Sequence, residues 1–278
     1  MTDPYRGEAD AMARTRGPPP TRSSLATDLR RLGLVRGATV LVHSSLSALG
    51  WVVGGAEAVV LSLEDVIGVD GTLMMPAYSV NAPEPSLWKN PPAPASWWES
   101  IRSDWPPYDP DLSPPNRLGK VADTFRGQRG TRRSYHPNHS FCARGPNAAQ
   151  LLDHHALDDS MGEASPLARL YDLHGEVLLL GVDHSSNSSI HLAEYRAQWP
   201  GKRGEQPRRA RGVRNGAIVE LSMTDLDLNS DDFGVLGAQF ETDQRAVRTG
   251  PVGGGTGRLM DQRTLVDYAV GWMAQHRT

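Results

Sequence analysis

A single cysteine, Cys142, stands in 278 residues, which excludes a disulfide framework and a cysteine-built zinc site. Between Phe141 and Ala143 it reads as a small buried hydrophobe rather than a nucleophile. One cysteine fits a reducing compartment, so the expected location is cytoplasmic. No apolar run approaches the ~20 residues that cross a bilayer, so no membrane partner is expected. Residues 1–20 carry arginine, proline and acid without an apolar signal segment. Residues 1–22 are therefore expected to form a loose tail and residues 23–278 one domain. Basic charge is not in excess either. A net charge of −3 argues against nucleic acid as a partner. Recognised catalytic signatures are also missing: there is no G-x-S-x-G and no H-E-x-x-H. The glycine-rich stretch 250–257 lacks the Lys-Ser/Thr of a phosphate loop and reads as a flexible connector.

What is present is an alternation of helix and strand patterns. Leu25, Leu29 and Leu32 recur at helical spacing up to Gly33, and an apolar strand over 39–42 runs into His43-Ser44-Ser45. Val59, Val60, Leu63, Val66 and Ile67 mark a second buried helix face, followed by a strand over 72–75. This order predicts an α/β fold with a central mixed β-sheet flanked by helices. Residues 76–115 break the pattern, holding eleven of the 21 prolines and four tryptophans. So aromatic a stretch is an ordered insertion and is expected to form a cleft wall. A strand is predicted over 139–143, and Ser165-Pro166 opens a helix. Residues 202–214 are basic and read as a solvated strand edge. Asn215-Gly216 then turns a β-hairpin extension, and the loop beyond it carries Asp225, Asp227, Asp231 and Asp232. Residues 202–232 thus form one hairpin and acidic loop.

The densest chemistry lies in 178–194, LLLGVDHSSNSSIHLAE, read as strand, polar turn and helix start. His191 falls in the first turn of that helix, with Glu194 three residues on and Tyr195 four, all on one face. Three readings stand side by side here. His191 is a packed helix residue, or one of a metal-ligand set with Asp183 and Glu194, or a general base. In the third case a carboxylate must hold its other ring nitrogen, and residues 225–232 are the richest source.

Five segments carry a resemblance: LVHSSLSALG (41–50), GTLMMPAYS (71–79), RRSYHP (132–137), the run 165–194, and GPVGG (250–254). Together and in this order they resemble the aminoglycoside 3-N-acetyltransferases of the antibiotic acetyltransferase family. The resemblance implies acetyl-CoA as donor, no metal, and a cationic aminoglycoside acylated on the 3-amino group of its 2-deoxystreptamine ring, which confers resistance. It implies His191 as the catalytic base, with Asp227, or Asp225 beside it, as the orienting carboxylate. His43, Ser44, Ser45, Arg133 and Ser134 match elements that line the CoA site, and a backbone N–H near Ser44–Ser45 is the expected oxyanion donor. Tyr78, Glu84, Asp183, Glu194, Asn229 and Asp231 fall where the substrate is expected. The enzyme is expected to act as a monomer or homodimer. Other readings are a metal-dependent hydrolase, a polycation-sequestering protein, and an acetyltransferase of another amine in biosynthesis.

Overall fold

The computed structural model describes residues 6–79, 85–88, 91–202, 204 and 206–278. Helices α1 (Arg6–Arg14) and α2 (Arg22–Leu32) lead into strand β1 (Thr39–Ser44), helix α3 (Gly55–Ile67) and strand β2 (Thr72–Pro76). Helices α4 (Trp98–Asp104) and α5 (Gly119–Gly127) precede strands β3 (Arg132–Arg133) and β4 (Phe141–Arg144). Then come α6 (Ala148–Leu152), α7 (Pro166–Asp172), β5 (Glu176–Leu180) and α8 (Ile190–Arg196). The chain ends with β6 (Gln206–Arg214), β7 (Ala217–Asp225), α9 (Phe233–Gln244), β8 (Arg248–Val252), β9 (Gly255–Asp261) and α10 (Gln262–His276).

Seven strands form one mixed sheet in the order β3-β4-β2-β1-β5-β9-β8. The central three, β2, β1 and β5, run parallel, with Val42 beside Leu178 and Ser44 beside Leu180. Alternate residues of these strands enter opposite cores, as a sheet covered on both faces requires. Val40, Val42, Leu178 and Leu180 join the layer under α2, α3 and α5. Leu41, Val177 and Leu179 join the layer under α7 to α10. The carboxyl ends of the three parallel strands therefore open at one edge, where His43, Pro76 and residues 181–191 emerge.

Local signals behave as the residues dictate. Thr21 and Ser24 form a reciprocal capping box at the start of α2, and Gly33 closes it at φ 104°. Ser165 accepts from Leu167 and Ala168 N–H with Pro166 in the first helical position. Asn215 and Gly216 both sit at positive φ, the geometry of a two-residue hairpin turn, and β6 and β7 pair apart from the main sheet. Cys142 is 1% exposed and burial pushes its thiol up to about 12, consistent with a packing role.

Three expectations change. The 250–257 stretch is no flexible connector: it lies in the β8–β9 hairpin, whose second strand pairs with β5. Its glycines permit close packing, since a Cβ on Gly255 would lie 2.7 Å from the Ala48 carbonyl oxygen. Residues 6–14 form a helix rather than a loose tail, pinned where the Trp51 indole donates to Glu8 at 3.0 Å and the Trp51 N–H donates to Thr15 at 2.7 Å. The basic run is more than a solvated edge. The Arg211 guanidinium donates to the Ser103 and Trp105 carbonyls at 2.7 and 2.6 Å, and Arg214 stacks on Tyr135. Tyr108 exchanges backbone hydrogen bonds with Arg211 and Val213, so the Pro/Trp-rich insertion docks on the hairpin.

Candidate active site

A cavity of about 1210 Å³ opens at the carboxyl edge of the parallel strands. His43, Ser44 and Ser45 line it from β1 and the turn beyond. Pro76 and Tyr78 line it where the insertion begins, and residues 117–120, just beyond the insertion, line it beside them. Ser188, His191 and Phe233 close the far side, while Gly7, Glu8 and Ala11 of α1 contribute a further wall.

His191 is the chemical centre of this surface. Its Nδ1 lies 2.5 Å from Glu194 Oε2, one helical turn along α8. The imidazole is 15% exposed and the carboxylate 1%. A neutral imidazole that donates Nδ1–H to a carboxylate has Nε2 left as its acceptor. Glu194 Oε1 in turn accepts from Arg277 Nη1 at 2.6 Å and from the Asn229 N–H at 3.0 Å. Phe233 sits 4.8 Å from the His191 ring, centroid to centroid. Across the cavity His43 is nearly buried. Burial, and secondarily the nearness of the His191 ring, holds it down to about 3, so it stays neutral at ordinary pH. Tyr78 donates to Ser188 Oγ at 2.7 Å, tying the two walls together.

The structure brings together five expected residues, His43, Ser44, Ser45, Tyr78 and His191, and moves others. The carboxylate on His191 is Glu194, not Asp227 or Asp225. Residues three apart on a helix already face one another, so no acid from a distant loop is required. Asp225 is buried elsewhere, accepting from Ser160 Oγ at 2.5 Å and from the Tyr195 hydroxyl. Burial would raise its pKa, but the His139, Ser160 and Tyr195 hydrogen bonds prevail and hold it well below the usual carboxylate range. Asp227 lies half-buried in the loop after β7.

Arg133 and Ser134 do not line the cavity. The Arg133 guanidinium staples the insertion to the sheet, donating to the Ala77, Pro110 and Ser113 carbonyls. Ser134 Oγ accepts from the Phe141 N–H and meets His155 Nδ1 at 2.9 Å. The Ser45 N–H is engaged by the Leu180 carbonyl at 2.9 Å, so it is not a free oxyanion donor. Asp183 lines an adjoining hollow and accepts from the Ser185 N–H and hydroxyl. With Glu194 shared between His191 and Arg277, the metal-ligand set considered from spacing is committed to other partners. Asn229 reaches the site through its N–H, while its Oδ1 accepts from the Asp231 N–H at 2.9 Å. Glu84 lies outside the described residues. Sequence reasoning missed Arg277 and α1, which carry no local motif. It also missed Ser188 and Phe233, although Ser188 stands three residues before His191.

The arrangement can hold a neutral imidazole in one tautomer at the wall of a cavity large enough for two reactants. Comparison with known proteins gives it a context. The profile of a family described as aminoglycoside 3-N-acetyltransferase matches residues 41–274. The chain is similar to the prophage-derived aminoglycoside N(3')-acetyltransferase-like protein YokD of Bacillus subtilis, 40% identical over 257 residues, covering 91% of this chain and 92% of that one. The crystal structure of YokD superposes with a TM-score of 0.91 over 96% of this chain and 98% of that one. The aminoglycoside N(3)-acetyltransferase VIII of Streptomyces fradiae is 39% identical over 276 residues, covering 92% of this chain and 93% of its own. A solved AAC-IIIb structure, binary with CoASH, has a TM-score of 0.81 at 30% identity, covering 91% of this chain and 96% of that one.

Proposed function

This chain belongs to the aminoglycoside 3-N-acetyltransferase family, and from that premise we propose that it moves the acetyl group of acetyl-CoA directly to the 3-amino group of a 2-deoxystreptamine aminoglycoside, with His191 as general base. The observation that carries this reading is the 2.5 Å pairing of His191 Nδ1 with buried Glu194 at the wall of the cavity. A related structure binary with CoASH supports the donor.

The reaction needs little else. An aminoglycoside ammonium cannot attack until it sheds a proton, which leaves to solvent by way of His191. The neutral amine then adds to the thioester carbonyl, and as the N–C bond forms its remaining excess proton passes to Nε2. Collapse of the tetrahedral adduct breaks the C–S bond, and the imidazolium proton goes to the departing thiolate. No acyl-enzyme is formed. Glu194 fixes the tautomer and stabilises the imidazolium, and neutral His43 adds no competing charge. Glu8 is the one acid among the described cavity-lining residues and is the candidate to meet a second ammonium. Lys120 and Arg117 on the same rim suit the CoA phosphates.

The test is thiol release from acetyl-CoA with a panel of 2-deoxystreptamine aminoglycosides, followed by assignment of the acetylated nitrogen by NMR. Amine-dependent thiol release with acetyl at N3 is expected. Acylation at another nitrogen, or release that ignores the amine, contradicts the proposal. Glu8→Gln is expected to raise the aminoglycoside KM several-fold with little change in the acetyl-CoA KM. An unchanged aminoglycoside KM removes Glu8 from the substrate site.

A further inference from the structure

Glu194 is 1% exposed and carries its charge in a part of the protein where water does not reach. A neutral imidazole offers it a hydrogen bond but no opposite charge. Left at that, a buried carboxylate would stand without a compensating charge, which is costly in a place screened from water. The opposite charge comes from the far end of the chain. Arg277 follows α10, and its Nη1 donates to Glu194 Oε1 at 2.6 Å. Its other two nitrogens are fixed as well: Nε and Nη2 reach Asp232 at 2.7 and 2.6 Å, and Nη2 reaches the Asn229 carbonyl at 2.8 Å. The guanidinium is 10% exposed and lies over the Trp199 ring, 5.1 Å from its centroid, with Phe233 close by. Each of the three guanidinium nitrogens has a fixed acceptor and the plane is packed on an aromatic face, which is how an arginine is held as a rigid part.

We propose that Arg277 is a positioning residue for the acyl transfer, setting its charge against Glu194 and seating that carboxylate on the His191 ring. The inference rests on the reading of His191 as the base. Its consequence has a definite sign. Consider the pair His191–Glu194 taking up one proton. Wherever that proton resides, the pair becomes less negative by one charge. A guanidinium touching Glu194 opposes that step, and Asp232 partly offsets the guanidinium. Other titratable groups around the pair are His43 across the cavity, Tyr78 on the facing wall, and Lys202, which feels the Glu194 charge. None of these is altered by substituting Arg277.

The experiment is the pH dependence of kcat/KM for the aminoglycoside in wild type, Arg277→Met, Arg277→Lys, Asp232→Asn and His191→Ala. Methionine keeps apolar contact with Trp199 but removes the charge. Its acid limb is expected to move up by about one pH unit, the low end of what an adjacent opposite charge produces. Arg277→Lys is expected to restore the wild-type limb to within a few tenths of a unit. Asp232→Asn leaves the guanidinium less neutralised, so its limb is expected to move down. An unmoved limb in Arg277→Met overturns the proposal, because loss of packing alone lowers rate without shifting the limb. If Arg277→Met does not fold, Asp232→Asn decides: a downward shift supports the proposal and no shift overturns it. Wild-type turnover in His191→Ala contradicts the base reading itself, whereas an inactive His191→Ala beside an unmoved Arg277→Met limb sinks only the role of Arg277.

Discussion

At the scale of single residues, the proposed function narrows to an imidazole, a carboxylate and what surrounds them. His191 and Glu194 were both legible in the sequence, because spacing by three on a helix brings two side chains together whatever the tertiary fold. Their pairing was passed over for an acid from the 225–232 loop, since nothing local ranks a near carboxylate above a distant one. Asp225 is a case in point: it has the burial and hydrogen bonds of a functional group, yet spends them on Ser160, Tyr195 and His139. Arg277 could not be found this way at all, for a lone arginine after a helix looks like any solvated cation. Glu194→Gln preserves shape and removes charge, and is expected to lower kcat by roughly 10²-fold, since an amide neither enforces the Nδ1–H tautomer nor stabilises an imidazolium. Steady-state rates with circular dichroism checks measure this. Turnover within twofold of wild type means the carboxylate charge is not used.

At the scale of elements, the parallel strands and their covering helices were readable from periodicity, and so were the caps at Thr21–Ser24 and Ser165–Pro166. The β8–β9 hairpin was not. Its glycines resemble a flexible joint in sequence, whereas in the fold they admit backbone and side chains that a Cβ would exclude. A Cβ on Gly257 would lie 2.7 Å from Val252 and 2.8 Å from Leu32. Helix α9 shows the same constraint beside the site. Gly237 packs so close to His184 that an added Cβ would fall 2.0 Å from the ring. Because His184 belongs to the turn just before the cavity-lining Ser188 and His191, crowding it moves that edge of the cavity as well as the helix. Gly237→Ala is expected to cost about 1–3 kcal/mol, read as a lowered thermal midpoint, with a loss of kcat beyond the loss of folded protein. A variant as stable and active as wild type means that α9 adjusts freely.

At the scale of the whole molecule, strand order was beyond the sequence, because a mixed sheet joining β3 to β8 through five other strands is a matter of long-range pairing. So was the gathering of histidines away from the active site. His136 and His155 stack at 4.9 Å in the core near Asp225, and burial lowers both, His155 to about 4. With His43 they make three imidazoles that stay neutral in the fold but bind protons when unfolded, near 6.5. The native state therefore holds fewer protons, and stability is full above about pH 6.5 and falls as pH drops towards 4. Each histidine contributes up to ~1.4 kcal/mol per pH unit in that window. Urea midpoints between pH 8 and 4 are expected to fall along this course, and His155→Gln to flatten it. A flat profile means that these rings titrate alike in the native and unfolded states.

Among the described residues no helix is long and apolar enough to cross a membrane, and His191 lines a cavity of about 1210 Å³. The most direct measurement is aminoglycoside-dependent thiol release by purified wild type and His191→Ala, with CoA binding followed by calorimetry. Removing a positioned base is expected to lower kcat by ~10²–10⁴-fold while CoA binding stays within twofold. Near-normal kcat in His191→Ala contradicts the central claim.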